Sequence, residues 1–131
     1  MFVKHTWYHT KDNHLDVIDD TLYYFDHFNG KILTYDEGMN LLNECEITYP
    51  TKEDFWQHKI YKDKALGKFY TIFGSAVNEI DVNTGKTSAV ANANQWMTEK
   101  IIIHKGNLYA VTKKRDSAGV WVSYVERIVI D

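Results

Sequence analysis

Short apolar runs separated by turn-forming residues recur along the whole chain, and the pattern has the period of β-strands rather than of helices. The densest stretch is Phe69 to Asn92. Its first run, Phe69-Tyr70-Thr71-Ile72-Phe73, is β-branched and aromatic and stops at Gly74-Ser75, which predicts a strand closed by a turn. From Val77 to Val82, apolar residues are interleaved with Asn78, Glu79 and Asp81 as far as Asn83-Thr84-Gly85. There glycine can supply the positive φ of a tight connection, and Lys86 to Val90 is expected to return antiparallel.

The same grammar extends in both directions. Upstream it predicts strands at Phe2–His9, His14–Ile18, Thr21–Asp26 and Lys31–Tyr35, with turns at Asp19-Asp20, His27–Gly30 and Asp36–Gly38. Met39 to Tyr49 reads as an outer strand ended by Pro50, although Leu41, Leu42 and Cys45 also fit a short helix. Trp56–Tyr61 is a further strand, and Lys62–Gly67 connects it to the central stretch. Downstream, strands are expected at Glu99–His104, Leu108–Thr112 and Val120–Ile130, with Lys113–Gly119 as a basic loop. No segment demands a long helix.

An internal repeat orders these strands. Leu22-Tyr23, Phe69-Tyr70 and Leu108-Tyr109 each follow a turn, and their tyrosines lie 47 and 39 residues apart, in or near the period of propeller blades. Tyr35-Asp36-Glu37-Gly38 and Ile80 to Gly85 both place an aspartate shortly before the glycine that reverses the chain. The expected fold is therefore all-β, an antiparallel meander of about 12 strands in three four-stranded, propeller-like blades, which is half a propeller. The repeat units are about 14–49, 56–92 and 99–130 within one domain of 1–131, with 2–9 supplying the strand that the last unit lacks. An up-and-down barrel of about ten strands, lipocalin-like and holding a small apolar ligand, is the alternative; it accounts for the meander but not for the repeat.

The stretches Asp20 to Leu42 and Gly67 to Thr87 resemble the six-bladed β-propeller proteins widespread in Bacteroidetes. The likeness covers roughly residues 14 to 112, and its motifs specify blades rather than chemistry. On this resemblance the chain is expected to carry about half the blades of that family and no lipoprotein-type leader. Two expectations follow: a fragment or truncated paralogue, or two copies that complete one ring. The resemblance implies a non-enzymatic binding or protein-interaction module, periplasmic or on the cell surface if the chain is part of a leader-bearing member.

Composition narrows the function classes. The 131 residues, 44% apolar and 25% charged, suit a globular domain with a modest core, and the net charge of -3 gives no reason to expect nucleic acid as partner. No apolar run is long enough for membrane insertion. One cysteine, Cys45, cannot form an internal disulfide. His5, Trp7, His9 and His14 make a metal site conceivable on spacing, but no carboxylate or cysteine completes a ligand pattern. Asp81 to Gly85 starts like a calcium loop and then places Lys86, Thr87 and Ser88 where acidic ligands are required. Asp12, Asp16, Asp19 and Asp20 sit at turns, where capping is their expected role rather than paired acid–base catalysis. No nucleophile elbow, phosphate loop or cofactor motif is present, so no cofactor is expected.

The aromatic content is 15%. Most of it belongs in strands, but in a propeller the connections on one face would present His27, Asn29, Tyr49, Trp96 and Arg115. Aromatics beside amide and guanidinium groups suit a carbohydrate or peptide ligand through stacking and hydrogen bonds.

Overall fold

The computed structural model describes residues 12–53, 55–93 and 98–130. All regular structure among them is β. β1 (His14–Ile18), β2 (Thr21–Asp26), β3 (Lys31–Tyr35) and β4 (Leu41–Glu46) make one sheet in sequence order. β5 (Tyr61–Asp63), β6 (Lys68–Phe73), β7 (Ala76–Ile80) and β8 (Thr87–Asn92) make a second, again in sequence order. β9 (Thr98–His104), β10 (Asn107–Arg115) and β11 (Trp121–Val129) make a third. The all-β meander in three sheets is thus what forms, with three strands rather than four in the last. The strand expected at 2–9 lies outside the described residues. Among the described residues no sheet closes on itself, so the structure is not the up-and-down barrel: β1 and β4, β5 and β8, and β9 and β11 are the outermost strands of their sheets.

The chain divides into two compact units, Met1–Glu53 with Asp81–Thr87, and Asp54–Ile80 with Ser88–Asp131. In the first unit, the Asp19-Asp20 turn has φ of 48° and 63° between the paired residues Ile18 and Thr21. Two left-handed residues match the right-handed twist of a hairpin, and aspartate tolerates that region better than most side chains. One face of this sheet is core, with Phe25 and Ile32 at 0% exposure and Ile18 and Thr34 also buried. The opposite face carries Leu15, Val17, Leu22, Tyr24, Leu33 and Tyr35, as the strand register requires.

In the second unit, β6 is buried on both sides: Phe69, Tyr70, Thr71 and Ile72 are each 1% exposed or less. Tyr70 and Ile72 join Val77, Ala93, Ile103, Leu108 and Ala110 in one apolar cluster, so β6, β7, β9 and β10 share a core. On the other side, the Trp56 indole N–H donates to the Thr71 hydroxyl at 2.7 Å. That hydroxyl in turn donates to the Lys59 carbonyl at 2.8 Å, so the buried indole N–H and Thr71 hydroxyl both have partners.

Two sequence expectations need correction here. Trp56–Tyr61 is not a strand: Trp56 makes an isolated bridge to Phe73, and pairing resumes at Tyr61, where β5 begins. Burying the indole with its donor satisfied dominates over local alternation. Lys113, Lys114 and Arg115 are not loop residues either. They extend β10 and pair in register with Ser123, Val122 and Trp121. The remaining connection, from Asp116 to Val120, is closed by the Asp116 carboxylate accepting from the N–H groups of Ala118 and Val120, each at 2.9 Å.

Candidate functional site

Unit one brings His27 and Tyr49 together. His27 follows β2 in the β2–β3 turn, and its Nδ1 lies 2.6 Å from the Asp12 carbonyl while its Nε2 lies 2.6 Å from the Tyr49 hydroxyl. A carbonyl only accepts, so Nδ1 carries the proton and Nε2 accepts from Tyr49. Burial pushes the His27 pKa down, opposed in part by the Asp12 carbonyl. Burial likewise drives the Tyr49 hydroxyl far above its ordinary value. Both rings are therefore neutral near pH 7. They meet edge-on at 5.7 Å between centroids, and Phe25 stacks on His27 at 6.4 Å. Asn13 joins the cluster: its side-chain oxygen accepts from the His27 backbone N–H at 2.9 Å, and its amide donates to the Tyr24 hydroxyl at 2.9 Å.

This arrangement ties the β2–β3 turn to the segments bearing Asp12 and Tyr49. A tyrosine raised by burial and a histidine lowered by it are both poised against ionisation. The stability consequence has a definite sign. Because the folded state keeps His27 neutral, the unfolded chain binds more protons below its ordinary pKa of about 6.5. The contribution is complete above that pH and is lost as pH falls through the lower folded value. We expect the His27 ring signals, followed by NMR, to titrate below about 6.5. In Tyr49→Phe, Nε2 loses its donor and can take up a proton without competition, so the midpoint should move upward. A midpoint at or above the ordinary value in the unmodified protein would show the ring to be solvated.

The other expected ligand residues have separate surroundings. Asn29 is exposed and folds back on Asp26, its backbone N–H and side-chain amide donating to the two carboxylate oxygens at 3.0 and 2.8 Å. Arg115, in unit two, stacks its guanidinium 4.8 Å from the centre of the exposed Trp121 ring. Trp96 lies outside the described residues. So do His5, Trp7 and His9, while His14 sits 3.0 Å from Asp16 and edge-on to Phe25. Cys45 is half-buried, its thiol donating to the Val82 carbonyl at 3.3 Å and raised in pKa by burial and by Asp81. Asp81–Lys86 is a hairpin turn in which the Asp81 carbonyl accepts from Gly85 at 2.7 Å and its carboxylate from Asn83 at 2.9 Å.

No protein-family model matches the chain, and no curated protein matches it significantly. The surfaces therefore carry the functional reading. In the three-stranded sheet, Leu108 and Ala110 mark the core face, and the residues between them mark the opposite one. Register places Arg115 beside Trp121, Val111 between Lys100 and Val125, and Tyr109 between Ile102 and Arg127 on that opposite face. Val125 is 75% exposed, Val129 59% and Ile102 53%. The open face of the four-stranded sheet in unit one behaves alike, with Leu15 at 60% and Val17 at 52%. Large apolar side chains gathered on one sheet face at such exposure mark an interaction surface more often than a solvated one.

Asp63 was missed in the sequence because Lys62–Gly67 reads as a plain connection. It is completely buried, and its carboxylate accepts N–H bonds from Leu66, Lys105 and Gly106. A signal existed. Asp26 to Lys31, Asp63 to Lys68 and Asp81 to Lys86 share one pattern, Asp-x-x-x-Gly-Lys, and all three are turns between strands.

Proposed function

We propose that this chain is a non-enzymatic interaction module of β-propeller type, whose working surfaces are the open faces of its sheets rather than a catalytic cleft. Sheets of sequentially ordered antiparallel strands are the building plan of propeller blades, and a blade face is made to be covered by another. The observation that carries the reading is the open face of the three-stranded sheet, where Val125 and Val129 remain largely exposed while the opposite face of the sheet buries Ile103, Leu108 and Ala110. The tightest polar cluster, around His27, supports the same reading: both ring nitrogens of His27 are engaged within the chain, by the Asp12 carbonyl and the Tyr49 hydroxyl.

The test is stability at high dilution, where association is negligible. Val125→Lys and Leu15→Lys should each leave the urea unfolding free energy within about 0.5 kcal/mol of the unmodified chain, as substitutions on a solvent face do. A loss of about 2 kcal/mol or more in either variant is the signature of a buried aliphatic side chain. That result would make these faces internal packing and end the reading.

A further inference from the structure

The two open faces differ in charge, and the difference is complementary. On the three-stranded sheet, Lys100, Lys113, Arg115 and Arg127 supply all the formal charge among the side chains described on that face, and it is all positive. Glu126, the acidic residue of β11, points to the other face, where it holds Lys114 at 2.6 Å. The open face of the four-stranded sheet carries Lys31, Glu44 and Glu46, and Lys31 is taken by Glu44 at 3.1 Å. Glu46 is left, together with the buried Asp26 carboxylate that Asn29 holds on the same face. Both turns at one end of that sheet are acidic as well, Asp19-Asp20 after β1 and Asp36-Glu37 after β3, with no base in either. Asp36 is held in its ionised form by hydrogen bonds from Asn40.

We propose that the basic apolar face of the three-stranded sheet is covered by the acidic apolar face of the four-stranded sheet of a second copy of this chain. The inference rests on the reading of these faces as interaction surfaces and names their partner. Each face presents aliphatic side chains that are more than half exposed, Leu15, Val17 and Leu41 on one and Ile102, Val125 and Val129 on the other. Apolar burial supplies the affinity. Charge then selects the pairing, because acidic-on-acidic and basic-on-basic contacts between copies are repulsive and only the unlike faces attract. The Arg115–Trp121 stack adds a flat cation-and-ring surface of the kind enriched where interfaces are tightest.

Paired charge reversal tests this. Leu15→Lys/Glu46→Lys makes the first face basic, and Lys100→Glu/Val125→Glu/Arg127→Glu makes the second acidic, with three carboxylates against Lys113 and Arg115. The mass of each protein is followed by light scattering across a dilution series, with circular dichroism as the check on folding. The unmodified chain should have a mass of at least twice 15.3 kDa. Each variant alone should associate at least about tenfold more weakly. An equimolar mixture should recover, since the reversed faces then meet each other while the unaltered faces meet as before. A monomeric unmodified chain would overturn the proposal, and so would variants that associate undiminished or a mixture that stays dissociated. A monomer whose face variants keep their stability at high dilution would remove the second copy as partner and leave the interaction reading in place.

Discussion

Replacing Gly85 with alanine is expected to cost about 3 kcal/mol or more, enough to leave the first unit largely unfolded in a marginally stable chain. Two effects add. Gly85 has φ of +76°, a conformation that costs an L-residue about 1 kcal/mol. A Cβ there would also fall inside the backbone carbonyl of Glu46, and backbone cannot swing aside as a flexible side chain can. The collision sits where the Asp81–Lys86 turn is bound along the end of β4. The Gly85 carbonyl accepts from the Thr48 N–H at 3.1 Å and from its hydroxyl at 2.7 Å, and Cys45 donates to Val82 nearby. Any shift that admits a methyl group breaks these bonds. Gly67→Ala is the control, because Gly67 has φ of +66° with nothing within 4 Å of the added atom. It should cost only the conformational part, about 1 kcal/mol. Urea unfolding of both variants checks the pair; equal losses would mean that the approach to Glu46 is not tight.

Asp63→Asn should destabilise the second unit by about 2–4 kcal/mol, since one member of a buried, charge-assisted network is replaced by a group that brings donors toward donors. The carboxylate joins the β5–β6 turn to the β9–β10 turn. Leu66 donates to it at 3.2 Å, Lys105 at 3.0 Å and Gly106 at 2.7 Å. An amide retains one acceptor oxygen and turns its NH2 toward an N–H. Burial by itself raises the Asp63 pKa, but the three backbone donors and His104 outweigh it and hold the group below the usual carboxylate range. The unfolded chain therefore binds the proton more readily in acid, near the ordinary value of about 3.9. The stabilisation is complete above that pH and is lost as pH falls through the folded value. Unfolding by urea between neutral pH and pH 2 should show this acid loss in the unmodified chain and a shallower one in Asp63→Asn. A variant within 1 kcal/mol of the parent with an unchanged acid limb would contradict the network.

The strands themselves were legible because their signals are local. Phe69-Tyr70-Thr71-Ile72-Phe73 needs only β-branched and aromatic residues before a Gly-Ser turn to be read as a strand, and β6 ends at Phe73. Turn chemistry is local too, so Asp19-Asp20, the turn preceding Gly30 and the turn at Gly85 stand where the sequence puts them. His27 and Tyr49 could be singled out as aromatic residues near connections, but not their purpose. Whether a polar ring binds a ligand or a neighbouring side chain depends on a hydrogen bond between residues 22 apart in sequence.

Residue type and spacing alone thus determined an all-β meander in short strands and several of its turns, with no long helix among the described residues. Tertiary structure decided the rest, because the deciding contacts join segments far apart in the chain. Trp56 leaves the strand pattern to reach Thr71, Asp63 is buried because Lys105 and Gly106 bring it their N–H groups, and Gly85 is irreplaceable through its approach to Glu46. Lys113 to Arg115 are polar enough to read as a loop, yet they are strand because the residues that pair with them, Trp121 to Ser123, return in register. Alternation shows that a strand has two faces; only packing settles which is covered and which, like the face bearing Val125, is left open.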